Sequence, residues 1–98
     1  MSKEIAISSQ LISQYFGLET YSDELTYQLL LEKVTQQVKY MLDDDFQGLL
    51  NAMYRIDIDE GKFSLALETG QPDDVSKNIA KLILDRIVLK AKTRLKYS

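Results

Sequence analysis

From Asp74 to Lys96 the chain runs without a Pro or a Gly. Such a stretch can form one unbroken helix of about 35 Å at 1.5 Å per residue. Asp73 or Asp74 is a suitable N-cap, because its carboxylate can accept a bond from a free N–H of the first turn. Both acids stand at the positive end of the helix dipole, and Lys90, Lys92, Arg94 and Lys96 stand at the negative end. The start, the stop and the charge order agree. A helix of this length can touch every other segment of a small domain. It specifies a fold and names no activity.

The 98 residues are expected to form one domain, with residues 1–7 loose ahead of it. A chain of this size buries roughly two-thirds of its unfolded surface and can hold a core without staples. It contains no Cys, which removes disulfides, thiolate nucleophiles and thiolate metal sites. It contains no His, which removes the commonest general base and zinc ligand. No apolar run reaches the roughly 18 residues needed to cross a bilayer. Met1-Ser2-Lys3-Glu4 lacks the pattern of a signal peptide, so the expected location is the cytosol.

Only one Pro and four Gly interrupt a chain rich in Leu, Lys, Gln and Glu, which favours helix throughout. Ser8 or Ser9 can cap a short first helix whose Leu11, Ile12, Tyr15 and Phe16 share one face, with Gly17 ending it. Thr20 or Ser22 can cap the second, which runs to about Leu42 with Asp23 and Glu24 in its first turn. Tyr27, Leu30, Leu31, Val34, Val38 and Met41 form its main apolar face; Leu25, Leu29 and Tyr40 fall opposite. Asp43-Asp44-Asp45 caps a third helix through about Ile56, with Phe46, Leu49, Leu50 and Met53 as its inward stripe. Gly48 lies away from that stripe, so Ala there is expected to be neutral or mildly stabilising. Asp57 or Asp59 can cap a fourth helix through about Glu68, with Phe63, Ala66 and Leu67 inward and Ile58 as an entry staple. The alternation of Phe63, Leu65 and Leu67 also fits a strand, but a lone strand has no pairing partner. Gly70-Gln71-Pro72 is a turn before the last helix. The fold expected is all-α: a small bundle of about four main helices with a long C-terminal one.

Asp57, Asp59 and Glu68 occupy positions 1, 3 and 12 of a calcium-loop frame. The frame fails at position 5, where Gly61 replaces an oxygen ligand, and at position 6, where Lys62 replaces Gly. Asp43, Asp44 and Asp45 are about 20 Å from Asp57 along the intervening helix, too far to share one ion. The Ser pairs have no His or Lys motif to activate them, and no Gly-rich phosphate loop is present. The reading is therefore a non-catalytic protein with no cofactor and no metal.

Charge is unevenly placed. Residues 1–70 carry a balance of −7, and residues 71–98 a balance of +4, within a net −3. Arg86, Lys90 and Arg94 stand at i, i+4 and i+8 and line one helix face, a candidate anion surface. A nucleic-acid reader is usually basic as a whole, whereas this chain has a pI near 4.8, which disfavours nucleic acid. The last helix shows aliphatics where a membrane-surface helix shows Trp or Phe.

At Asp45-Phe46, Leu49-Leu50 and Tyr54-Arg55-Ile56-Asp57, followed by Glu60, the chain resembles a group of small uncharacterised bacterial proteins. The likeness covers roughly residues 43–96, and Gly61 departs from the pattern. It implies an all-helical single domain with a long C-terminal helix, and it implies no activity. Read physically, Tyr54-Arg55-Ile56-Asp57 is a helix–helix corner, with Ile56 in the core and Arg55 free to bond carboxylates or cap the helix end.

The last helix carries two apolar stripes. Val75, Ile79, Leu82 and Ile83 share one; Leu84, Val88, Ala91 and Leu95 share another, spaced as a coiled-coil seam is. They lie on the order of 100° apart, more than heptad drift explains. Cover from two directions is required. A second copy of the chain would supply it through Leu84, Val88, Ala91 and Leu95, together with Leu25, Leu29 and Tyr40. The competing arrangement covers both stripes within one chain, using the first helix and residues 1–7. The functional expectation is a small interaction module or accessory subunit that forms a homodimer or binds another protein. The alternative is a nucleic-acid-associated protein using Arg86, Lys90 and Arg94.

Overall fold

The C-terminal helix forms from Pro72 to Tyr97 and packs against each of the four helices that precede it. These are α1 (Lys3–Phe16), α2 (Tyr27–Asp44), α3 (Phe46–Ile56) and α4 (Glu60–Glu68), with the last as α5. The structure is a computed structural model and describes residues 2–20 and 24–97. Among the described residues there is no strand, so the molecule is an all-α bundle.

α5 starts slightly earlier than expected. Pro72 takes its first position, where the missing N–H is no loss and the fixed φ suits a helix. Asp73 and Asp74 therefore sit inside the first turn and are not the cap. Asp74 reaches back instead, its carboxylate accepting the Gln71 N–H at 3.2 Å. Asp73 pairs with Lys39 of α2 at 2.9 Å, which holds its carboxyl below the usual range. Ser76, Ile79, Ala80, Ile83, Leu84, Ile87 and Ala91 are all buried along α5. Their spacing of three and four residues makes one broad inward face.

The first helix corrects the expectation of a loose N-terminus. Ser2 accepts the Ile5 N–H, and helix begins at Lys3. Ser8 and Ser9 lie buried within it and are not caps. The Ser8 hydroxyl donates to the Glu4 carbonyl at 2.7 Å, the back-bond that lets a serine sit inside a helix. The helix ends as expected at Gly17, whose φ of 66° is left-handed and whose N–H bonds Ser13 O. The loop beyond is tied back by Thr20, which is buried. Its hydroxyl donates to Ser9 O at 3.0 Å and makes a short bond with the Ser9 hydroxyl.

Thr20 is thus an anchor for the loop and not the cap of α2. Thr26 is that cap, accepting the Leu29 N–H at 3.1 Å; Ser22 and Asp23 lie outside the described residues. The shift matters for Leu25. It precedes the helix, so the helical angle assigned to it does not apply, and it turns into the core. Leu30, Leu31, Val34, Val38 and Met41 bury the expected face of α2 against α5.

These facts correct the dimer seam. Leu84, Ala91 and Leu25 are core residues of a single chain. Val88 and Leu29 are half-buried against that core, and Leu95 is half-buried. Tyr40, 55% exposed, is the one member of the set on the surface. The physical reason is the length of α1: starting at Lys3, it has enough apolar surface to lie along α5 beside α2. The two stripes on α5 are two flanks of one covered face.

Candidate functional site

Asp45 joins α2 to α3. Its N–H closes α2 on Met41 O at 2.9 Å, and its carboxylate caps α3 by accepting the Gly48 N–H at 3.0 Å. α3 buries Leu49, Ala52, Met53 and Ile56. Its end is a Schellman turn: Ile58 N–H bonds Met53 O and Asp57 N–H bonds Tyr54 O, with Asp57 left-handed at φ 69°. Asp59 then caps α4, accepting the Lys62 N–H at 2.9 Å. Asp57 closes α3, and the opening of α4 falls to Asp59. Ile58 is half-buried at the position before the cap, and Phe63 is buried four residues into the helix, as a hydrophobic staple requires.

α4 rests on α5 and makes no direct backbone approach to α3. The two helices diverge from the Asp57–Asp59 corner and leave an open groove of about 990 Å³. Met53, Phe63, Ile58 and Leu67 form its apolar floor; Phe46, Leu50 and Tyr54 line the α3 side. This revises the α3 stripe. Leu49 and Met53 face the core as expected, but Phe46 is 41% and Leu50 36% exposed, and Tyr54 is 85% exposed. Spaced four apart, the three side chains make a second stripe about 12 Å long. The signal for it is the width of the apolar arc on α3, which runs from Ala52 and Ile56 round to Leu50 and Tyr54, wider than the cover that α1, α2 and α5 bring.

The polar edge of the groove is acidic. Asp57, Asp59 and Glu60 line it, and no Lys or Arg does so among the described residues. Asp43, Asp44 and Asp45, all exposed, immediately precede Phe46. The carboxylates that suggested a calcium frame have structural roles: Asp59 is a cap, and Asp57 lies 3.3 Å from Arg86. Glu68 ends α4, a full helix away from both. Among the described residues no three acidic groups converge on one point.

The candidate anion residues come together elsewhere. Arg86, Lys90 and Arg94 line a groove of about 510 Å³ between α1 and α5, opposite Leu11 and Tyr15. Arg55, read as a partner for carboxylates or a cap of the helix end, places its guanidinium over the Tyr15 ring, 5.5 Å from the centroid. No helix among the described residues is long and apolar enough to cross a membrane. Comparison with known families, curated proteins and solved structures finds no match for the chain.

Proposed function

We propose that this protein is a non-catalytic interaction module whose α3–α4 groove receives an amphipathic helix of another protein, apolar on one face and rich in Lys and Arg at its edges. One observation carries the reading: Phe46, Leu50 and Tyr54 stay exposed at helical spacing along a groove whose charged edge is wholly acidic. An apolar patch left in water at that spacing matches the anchors of helix-in-groove recognition. The acids select the sign of the partner and speed its approach. They also oppose a symmetric pairing of two such grooves, which would set Asp57, Asp59 and Glu60 against their own copies.

The test uses two synthetic helices with the same Leu stripe, one flanked by Lys and one by Glu. Amide chemical shifts of the full chain report binding. The Lys peptide should move the resonances of α3 and α4, the Glu peptide should not, and Leu50→Lys should abolish the response. Equal binding of both peptides, or shifts confined to other helices, would overturn the reading. So would light scattering that shows a mass rising with concentration and restored to one chain by Leu50→Lys, because the occupant would then be a second copy.

A further inference from the structure

We propose that the groove between α1 and the C-terminal half of α5 binds a small organic phosphate, a monoester with an apolar or aromatic body. The argument starts from where the cations stand on α5. At 3.6 residues per turn, Lys90 projects between the directions of the buried Ile79 and Ile83, and Arg94 shares the direction of the buried Ser76. One flank of the inward face therefore changes from aliphatic to basic, beside the still-buried Ile87 and Ala91, while α1 lies alongside. Cations at the end of a helix need only point to water. These line a groove with Leu11 and Tyr15, and Lys90 is half-buried there.

The groove has no counter-charge of its own. Among the described residues no carboxylate lines it, and neither Lys90 nor Arg94 takes part in an ion pair. Arg86 has one partner, Asp57, at 3.3 Å on the far side, and its Nε is buried without an acceptor. A buried charged donor left unpaired is costly, so the guanidinium gains from any anion that draws it toward the groove. Arg55, held over the Tyr15 ring, adds a fourth cation nearby.

The chemical class follows from the lining. Two guanidiniums suit the paired oxygens of a phosphate, and an ammonium between them adds a point charge. Leu11, Leu89 and the Tyr15 ring offer apolar surface for the remainder of the ligand. The volume of about 510 Å³ falls in the range of small-ligand sites. A nucleic-acid strand is disfavoured, because a chain of net charge −3 repels a long polyanion outside this one groove.

Phenyl phosphate is the probe, with inorganic phosphate, phenol and a 5′-hydroxyl single-stranded oligonucleotide as comparisons, all by chemical-shift titration of the full chain. Phenyl phosphate should move Tyr15 and the amides of residues 86–94, and should bind more tightly than inorganic phosphate or phenol. The double variant Lys90→Gln with Arg94→Gln should weaken it at least about tenfold, the effect of losing two charge-assisted bonds. Circular dichroism of that variant should match the parent, since neither side chain is in the core. Lowering the pH through about 6 should weaken binding, because the dianionic ester takes up a proton there and loses one charge. Absence of shifts at millimolar probe, or binding unchanged in the double variant, overturns the proposal. Tighter binding of the oligonucleotide at the same residues also overturns it, in favour of a backbone-binding surface.

Discussion

Arg86 Nη2 lies 3.3 Å from Asp57 Oδ2, tying the middle of α5 to the left-handed residue at the α3–α4 corner. Asp57 belongs to the acidic edge of one groove, and Arg86 to the basic lining of the other. The pair is solvent-exposed on the acid side, so its own contribution to stability is small, about 0–1 kcal/mol. The backbone conformation costs more. A non-glycine residue in the left-handed region is disfavoured by roughly 1–2 kcal/mol. Asp57→Gly should therefore be neutral or stabilising despite losing the ion pair, and Asp57→Ala should be destabilising by about 1 kcal/mol. Urea unfolding of the two variants decides it. An alanine variant more stable than the glycine one would contradict the Schellman geometry.

Thr20 is the polar anchor of the loop before α2. Its hydroxyl serves Ser9 O and the Ser9 hydroxyl inside a buried site. Thr20→Val keeps the shape and takes from the buried Ser9 hydroxyl its Thr20 partner, which should cost about 1–3 kcal/mol. Adding Ser9→Ala to Thr20→Val should recover part of that loss, because the orphaned hydroxyl is then gone. A double variant as unstable as the additive sum of the two single ones would show that the hydroxyls do not act together.

Gly48 departs from the expectation that Ala is harmless there. A Cβ at Gly48 would lie 2.7 Å from Asp45 Cγ, in the path of the carboxylate that caps α3. Ala gains up to about 1 kcal/mol of helix propensity, while displacing the cap forfeits roughly 0.5–2 kcal/mol. Gly48→Ala should thus be neutral to destabilising in the parent and stabilising, by about 1 kcal/mol, in an Asp45→Ala background. Identical effects in both backgrounds would mean the carboxylate moves aside freely.

Tyr27 donates its hydroxyl to Asp85 at 2.6 Å, joining the start of α2 to α5. Burial, then the hydrogen bond and charge of Asp85, push its pKa from 10.0 up to about 12. The native state favours the neutral phenol. Its contribution to stability is complete below pH 10 and is lost as the pH rises from 10 toward 12. The urea midpoint should fall across that window, and fall less steeply in Tyr27→Phe. A parent and a variant with the same alkaline slope would rule out the linkage.

Much of this bundle was readable in the chain. The long run from Asp74 to Lys96, the left-handed stop at Gly17 and the Asp caps at the third and fourth helices depend on local chemistry. A capping carboxylate or a positive φ acts within three or four residues, so its evidence lies in adjacent letters. The early start of the first helix is not legible because the cap at Ser2 is one serine among several, and only packing against α5 selects the longer helix.

Which apolar residues face water was a different matter. Periodicity places Leu84 and Leu50 equally well on an apolar stripe, yet one is in the core and the other lines an open groove. The difference comes from neighbours remote in sequence. α1 and α2 lie along α5 and cover Leu84, whereas α4 turns away from α3 and leaves Leu50 uncovered. The amino-acid order determined the helices, the ends at Gly17, Asp45 and Asp59, and the charges, because those are set by short-range bonds and dipoles. Only the tertiary structure decided which faces meet, because burial depends on the cover that distant segments bring, and no single helix carries that information.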